Sequence, residues 1–170
     1  MADRVYKVLF LCTHNSARSV MAEALLNTIG APRFQAFSAG SQASGKVNPF
    51  AIEKAKTLGY LTAQLRSKNW DEFAVSTAPH MDIIITVCDN AAGEVCPIWP
   101  GHPATAHWGF PDPAAVSGTD VEKRAAFDKV FHQIRHRVQL LADFPNEKLA
   151  HLSLTQELKR IATIENPAAT

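Results

Sequence analysis

The sequence predicts an α/β protein in which a four-stranded parallel sheet carries helices on both faces. Two observations lead to this prediction. Short apolar runs typical of strands alternate along the chain with segments whose apolar residues recur at helical spacing. The runs are apolar at successive positions, as expected of parallel strands covered on both sides. Strands that alternate with helices favour parallel pairing, so a three-layer arrangement follows.

The first half of the chain contains two predicted strands, each followed by a helix. Both helices end at a glycine, Gly30 or Gly59. The second helix begins at Asn48-Pro49, since Asn is a favourable N-cap and Pro suits the first turn. The strands are residues 5–11 and 34–39, and residues 65–73 are expected to form a loop with a short turn of helix.

Two further strands, residues 82–88 and 105–109, are predicted in the second half. They are separated by residues 89–103, which are rich in Pro, Gly and Asn and indicate a long functional loop. In parallel sheets ligands bind at the carboxyl ends of the strands. Polar residues that follow these strands are therefore candidates for the site.

Two capping boxes mark helices near the end of the chain. Thr119 and Glu122 begin a long amphipathic helix, and Ser153 and Gln156 begin a short one. Within the short helix the apolar residues fall on one face, which is expected to pack inward. We therefore expect one domain over residues 1–145 and a C-terminal tail over residues 146–170, with its short helix packed on or near the domain.

Composition excludes several classes of function. The 170 residues are 46% hydrophobic and 19% charged, as in an ordinary globular protein. A net charge of +1 gives no basis for binding nucleic acid or an acidic membrane surface. The apolar runs are too short to span a bilayer, and the first residues lack the features of a signal peptide. We expect a cytoplasmic protein, a monomer or weak dimer, with no nucleic-acid or membrane partner.

A cysteine at the end of the first strand is the strongest candidate for chemistry. Cys12 is followed six residues later by Arg18, where a helix begins. Backbone N–H groups of such a loop converge, and the helix dipole adds partial positive charge. Arg18 can bind two oxygens of an oxyanion, and the same field favours the thiolate of Cys12. The expected oxyanion-binding residues are Thr13, His14, Asn15, Ser16, Ala17, Arg18 and Ser19.

Two of these side chains have more specific expected roles. Ser19 is placed to donate a hydrogen bond to the Cys12 sulfur, and Asn15 can adopt a left-handed conformation that braces the loop. The spacing between cysteine and arginine is unspecific by itself, because a cysteine at a strand end is often simply packed in the core. The strand, polar loop and helix around the pair favour the functional interpretation.

This stretch resembles the low-molecular-weight protein tyrosine phosphatase family. The loop is matched by Cys12, Asn15, Ser16, Arg18 and Ser19. The resemblance covers about residues 5–142 and implies that family's fold, a flavodoxin-like three-layer sandwich. Further matches are Phe37-Ser38-Ala39-Gly40, Val47-Asn48-Pro49 and His107-Trp108-Gly109.

The resemblance implies a general acid at Asp112, in the pair Asp112-Pro113. Without the resemblance, the sequence Pro-Asp-Pro would indicate only a turn. Members of the family either hydrolyse phosphotyrosine or reduce arsenate. The phosphatases usually place an aromatic residue after the Asp-Pro pair, whereas this chain has Ala114.

The later cysteines favour arsenate reduction. An odd number of cysteines argues against a disulfide framework. Arsenate reductases of the family carry two thiols after the third strand, and Cys88 and Cys96 resemble them. The resemblance then implies a relay. Cys12 attacks arsenate while Asp112 protonates the departing hydroxyl, Cys88 forms a disulfide with Cys12 as arsenite leaves, and Cys96 then attacks Cys88.

The resemblance implies an external thiol donor, and we expect no bound cofactor or metal. Thioredoxin would reduce a Cys88–Cys96 disulfide. In the other route, which uses glutathione and glutaredoxin, glutathione would carry out one of the attacks of the relay. Eight residues of helix span about 12 Å, whereas bonded cysteines have Cα atoms within about 7 Å. Residues 89–95 must therefore be looped or unwind. Phosphate and sulfate are expected to mimic arsenate in the loop.

Two alternatives remain open from the sequence. One is a phosphatase that acts on phosphotyrosine or small phosphate esters, against which Ala114 and the extra thiols count. The other is a non-catalytic protein that senses oxyanions or redox state, which would have no need of an acid at Asp112. A zinc site is not favoured, because the spacing of Cys88 and Cys96 fits no common ligand set.

Overall fold

A four-stranded parallel sheet organises the structure, a computed structural model that describes residues 4–60, 62–75, 77–87, 103–145 and 154–163. Its spatial order is β2-β1-β3-β4, and each neighbouring pair is parallel. The predicted fold class is confirmed. The strands are β1 (Tyr6–Cys12), β2 (Phe34–Gly40), β3 (Ile83–Thr86) and β4 (Ala104–His107).

Two of the helices begin where local capping patterns predict, and Ser153, at the third predicted start, lies outside the described residues. Asn48 caps one of them by accepting a hydrogen bond from the backbone of Phe50, and both bonds of the capping box of Thr119 and Glu122 are present. None of the described helices combines the length and apolar character needed to cross a bilayer. The helices are α1 (Arg18–Ile29), α2 (Pro49–Thr57), α3 (Asp71–Ala74), α4 (Asp120–Ala142) and α5 (Leu154–Ala162), with short 3-10 turns at Thr62–Gln64 and Pro113–Ala115.

The two faces of the sheet are covered by different amounts of structure. Val8 and Phe10 of β1 point into the larger core, which contains residues of α1, α2, α4 and α5. The residue between them, Leu9, points the other way and joins a smaller core with Trp70 and Phe73. Because successive side chains of a strand alternate between faces, β1 is apolar at every one of these positions.

The strand ends differ from the predicted ones. β1 and β2 run one residue further, so that Cys12 pairs with Gly40. β4 ends at His107 instead of residue 109. Beyond His107, the described backbone hydrogen bonds toward the end of β3 are isolated ones, each donated by a single N–H group. The Trp108 N–H donates to the carbonyl of Thr86 at 2.7 Å. The predicted last residue of the third strand, position 88, lies outside the described residues.

The C-terminal helix α5 packs beside the edge strand β4. Leu154, Leu158 and Ile161 are buried in the larger core. The indole Nε1 of buried Trp108 donates a hydrogen bond to the Leu158 carbonyl at 3.0 Å. This helix therefore contributes to the same core as the sheet, while the division of the chain at residue 145 stays a prediction.

Leu158→Ala should lower the free energy of unfolding by about 2–5 kcal/mol, because it removes a fully buried side chain and leaves a cavity. Urea unfolding of the full-length protein measures this difference. Lys159→Ala, at the exposed neighbouring position, should leave the midpoint unchanged. Identical midpoints for all three proteins would contradict a packed role for α5.

Candidate active site

Cys12 lies at the junction between β1 and α1. It is the last residue of β1, is 5% exposed, and pairs with Gly40 of β2. Six residues later α1 begins at Arg18. We call residues 12–19 the Cys12 loop. It therefore lies at the carboxyl end of a central parallel strand, where sheets of this type bind ligands.

Backbone carbonyl groups of the Cys12 loop accept hydrogen bonds from segments outside it, which directs them away from its centre. The acceptors belong to Thr13, His14 and Ser16, and their backbone donors, at 2.8 to 3.0 Å, belong to Gln42, Ser44 and Asn48. In a trans peptide the N–H of the next residue points opposite to the carbonyl. The N–H groups of His14, Asn15 and Ala17 are therefore turned toward the inside of the loop, as an anion site requires.

The N-terminus of α1 adds to this positive environment. Ala17 occupies the N-cap position and provides no side-chain hydrogen bond, and the first turn contains no acidic residue. The first N–H groups of a helix need partners from outside the helix. A bound oxyanion would supply them and would also interact favourably with the helix dipole.

The buried side chain of Asn15 stabilises the shape of the Cys12 loop. This residue is fully buried and has a positive φ of 48°, a conformation that Asn adopts more readily than most residues. Its side-chain amide donates to the Ser19 hydroxyl at 2.8 Å, and its carbonyl oxygen accepts from the Lys68 backbone at 2.9 Å. Since the Ser19 oxygen acts as an acceptor, its proton is available for donation to another group.

Gly40 allows β2 to approach the loop closely. A Cβ at this position would collide with the Thr13 carbonyl oxygen and would lie 2.8 Å from that of Cys12. No larger residue fits without moving the backbone. The sequence marked Gly40 as the end of a strand, but the close approach was not foreseeable from that pattern.

The side chains of Arg18 and Asp112 lie close to each other at the edge of the Cys12 loop. Arg18 Nη1 donates to the Phe110 carbonyl at 2.9 Å, and Nη2 lies 3.7 Å from Asp112 Oδ2. The Arg18 side chain is 14% exposed and that of Asp112 is 44% exposed. The other oxygen of Asp112 accepts from the Ala114 backbone at 3.0 Å. Asp112 is thus a turn residue that also presents a carboxylate oxygen toward the site.

A buried ion pair that sequence analysis did not identify lies behind the loop. Lys68 Nζ is 3.8 Å from Glu23 Oε1, and both side chains are 8% exposed. Ser38 donates to the same carboxylate at 2.7 Å, and Lys68 also donates to the Arg66 carbonyl. Burial raises the pKa of Glu23 and lowers that of Lys68, while the attraction between the two charges opposes both shifts.

The structure places Asp112 beside Arg18 of the Cys12 loop. The catalytic and oxyanion-binding roles that the family resemblance implies for these residues stay predictions. Cys88 and Cys96 lie outside the described residues, so the relay through them stays a prediction. Among the described residues, no group of three or more histidine, cysteine or carboxylate side chains is arranged to hold a metal ion. The ring of His107 instead contacts the Thr86 hydroxyl, with 2.7 Å between Nδ1 and Oγ1.

Fold and site together are those expected of a phosphatase-type protein with an oxyanion loop on a parallel sheet. The chain belongs to the low molecular weight phosphotyrosine protein phosphatase family, whose family model matches residues 7–157. The family resemblance seen in the sequence is therefore confirmed.

Relatives within the family are named arsenate reductases. Those of Halalkalibacterium halodurans and Bacillus subtilis are 38% and 37% identical to this chain over 136 residues, covering 80% of this chain and 94% of each relative. The arsenate reductase structure from Archaeoglobus fulgidus is 31% identical with a TM-score of 0.63, covering 81% of this chain and 99% of that one. A low molecular weight protein tyrosine phosphatase structure from T. tengcongensis, 20% identical with a TM-score of 0.64, covers 82% and 99% and supports the fold alone.

Replacing only one member of the Glu23–Lys68 pair should destabilise the protein more than replacing both. Glu23→Gln or Lys68→Met leaves one buried charge without its partner, which typically costs about 3–5 kcal/mol, whereas removing both charges is often nearly neutral. A double-mutant cycle on the free energy of unfolding, measured in urea, gives the coupling.

The exposed ion pair of Arg66 and Glu72 provides a matched control, since exposed pairs couple by at most about 1 kcal/mol. If the losses of Glu23→Gln and Lys68→Met simply add in the double variant, the two side chains do not act as a pair.

Proposed function

We propose that the protein reduces arsenate to arsenite in arsenic detoxification. Its similarity to named arsenate reductases over 94% of their length carries this proposal. The Cys12 loop supports it independently, because inward N–H groups, a helix N-terminus and an arginine converge beside a buried thiol. Arsenate, a tetrahedral oxyanion, matches these donors.

Arsenate binds in the Cys12 loop. The N–H groups of His14, Asn15 and Ala17 and the first turn of α1 donate to its oxygens. Arg18 has five N–H donors, so nitrogens not engaged by Phe110 contribute a charged contact. Phosphate and sulfate have the same shape and act as mimics. The positive environment that holds the oxyanion also stabilises the thiolate of Cys12.

The first chemical step joins sulfur to arsenic. The Cys12 thiolate attacks the arsenic atom, and an As–O bond breaks as Asp112 donates a proton to the departing hydroxyl, which leaves as water. Arsenic remains pentavalent in the resulting thiol adduct. The 3.7 Å approach of Asp112 to Arg18 supports this role, since the acid then lies beside the group that binds the oxyanion.

Reduction takes place in the second step. The Cys88 thiolate attacks the Cys12 sulfur, the S–As bond breaks, and its electron pair remains on arsenic. Arsenic is thereby reduced to the trivalent state and leaves as arsenite, while a Cys12–Cys88 disulfide forms. Cys96 then attacks Cys88 and restores the Cys12 thiolate, which leaves a Cys88–Cys96 disulfide.

An external thiol donor supplies the two electrons for each turnover. Thioredoxin or glutathione with glutaredoxin performs this step, and the enzyme itself carries no bound cofactor. A reducing compartment keeps the three thiols available, so the protein acts in the cytoplasm. It works as a monomer or weak dimer.

A weak phosphatase activity is the second candidate function. The Cys12 loop and Asp112 would also serve hydrolysis of a phosphate ester through a phosphocysteine. Ala114, next to the Asp-Pro pair, offers no aromatic surface for a phenol ring. A non-catalytic sensor is disfavoured, because it would not need a carboxylate 3.7 Å from Arg18.

Cys88→Ser should abolish arsenite release while preserving hydrolysis of p-nitrophenyl phosphate, since only the reduction needs the second thiol. Arsenite production is measured with purified full-length protein and either the thioredoxin or the glutaredoxin system. Cys12→Ser, which removes the nucleophile of both reactions, should abolish both. Robust phosphatase turnover by the wild-type protein without arsenate reduction would overturn the proposed function.

Cys96→Ser separates the two donor routes. If Cys96 resolves the first disulfide, this variant should lose multiple turnover with thioredoxin yet still release one equivalent of arsenite in a single turnover. Quenched-flow measurement of arsenite per enzyme distinguishes the two quantities. Full multiple turnover with glutathione and glutaredoxin would exclude Cys96 from the relay.

A further inference from the structure

A buried arginine in α4 has no role in the steps above. Arg137 is 5% exposed and lies among the apolar residues of the helix, close to Ile134 and Val138 along the sequence. Burial lowers its pKa. Among the described residues, its Nε has no hydrogen-bond partner. A buried cation without a carboxylate partner is costly, and a well-packed apolar residue would avoid that cost.

The contacts of Arg137 are directed at the residues that precede the acid. Its Nη1 donates to the Gly109 carbonyl at 3.2 Å, and the guanidinium carbon lies 4.6 Å from the centre of the Phe110 ring. The carbonyl of Phe110 accepts the hydrogen bond from Arg18. Two arginines from different helices therefore hold adjacent residues of one segment.

The segment held in this way ends at the acid. We call residues 109–112 the acid segment. Its start is anchored to α4 by Arg137, and its middle is anchored to the Cys12 loop through Arg18. Asp112 follows Phe110 by two residues and lies 3.7 Å from Arg18. The position of the carboxylate thus depends on both anchors.

We propose that Arg137 is a positioning residue for the reaction, which holds the acid segment so that Asp112 stays beside the oxyanion. The proposal rests on the proposed function in taking Asp112 as the general acid. Arg137 does not touch the substrate. The hydrogen bond to the Gly109 carbonyl fixes the backbone of the segment, and the guanidinium over the Phe110 ring fixes that ring, so the Phe110 carbonyl remains directed at Arg18.

The planar guanidinium explains why arginine suits this position. It donates a hydrogen bond to Gly109 and places its charge over the ring of Phe110 at the same time. Lysine can donate a hydrogen bond but lacks the flat face. Methionine can pack against the ring but cannot donate. Arg137→Lys and Arg137→Met therefore remove different parts of the anchor.

The test is a kinetic double-mutant cycle with full-length protein. Arg137→Met and Asp112→Asn are made singly and together, and kcat and KM for arsenate are measured for each. Misplacing a catalytic group by about 1 Å can cost about 100-fold in rate. We expect Arg137→Met to lower kcat by about 10- to 100-fold with little change in KM, because the N–H groups of the Cys12 loop are untouched.

In the Asp112→Asn background, Arg137→Met should cause no further loss of residual activity, because it acts through Asp112. Arg137→Lys should retain an intermediate kcat, since it keeps a donor for Gly109. Arg135→Met, at an exposed position on the same helix, is the matched control and should behave like the wild type. Thermal unfolding of every variant identifies losses that arise from instability, and Arg137→Lys decides the question if Arg137→Met does not fold.

Two results would overturn the proposal: an unchanged kcat in folded Arg137→Met, or the same loss of activity with and without Asp112. Failure of the proposed function gives a different result, because the wild-type protein would then not reduce arsenate. In that case the same cycle measured with p-nitrophenyl phosphate, whose hydrolysis uses the same acid, decides the role of Arg137.

Discussion

The site depends on the direction of the backbone carbonyl groups in the Cys12 loop. Bonds from residues after β2 and from the N-cap of α2 turn three of them outward, and this exposes the N–H groups on the inner side. Neighbouring segments thus impose the shape of the loop. Asn15 completes the arrangement, because its buried side chain links the loop to α1 and to Lys68. The candidate oxyanion site is therefore a property of the assembled domain.

Charged groups around the loop lie at two depths and have different effects. Behind it, Glu23 and Lys68 form a buried pair whose charges compensate each other, so they can brace the segment carrying Lys68 without adding net charge. At the mouth, Arg18 keeps part of its side chain in contact with solvent and can reach an incoming oxyanion. This separation allows a rigid, charge-balanced support and the partly exposed guanidinium of Arg18 to coexist beside one thiol.

Local sequence patterns predicted most of the fold and the centre of the site. Helix starts at Asn48 and Thr119 follow from capping chemistry that acts within three residues, and the family motif indicated Cys12 and Arg18 as candidates. Contacts between residues that are far apart in the sequence left no such local pattern in it. Arg135 and Arg137 look alike in the sequence of α4, yet one is exposed and the other binds the Gly109 carbonyl. The ends of the strands were predicted incorrectly for a related reason. The hydrogen bonds of a strand stop where its partner strand stops, and the partner is distant in the sequence.

The glycine at the end of β2 links the pairing of the sheet to the chemistry of the thiol. In the observed register Gly40 lies opposite Cys12. A shift of one residue would bring Ala39 or Ser41 to that place, with a Cβ where the Thr13 carbonyl must lie. The loop could not then close around an anion. A chain with mispaired strands would thus lack the loop around Cys12, so the reactive thiol that we propose would form only in correctly assembled molecules.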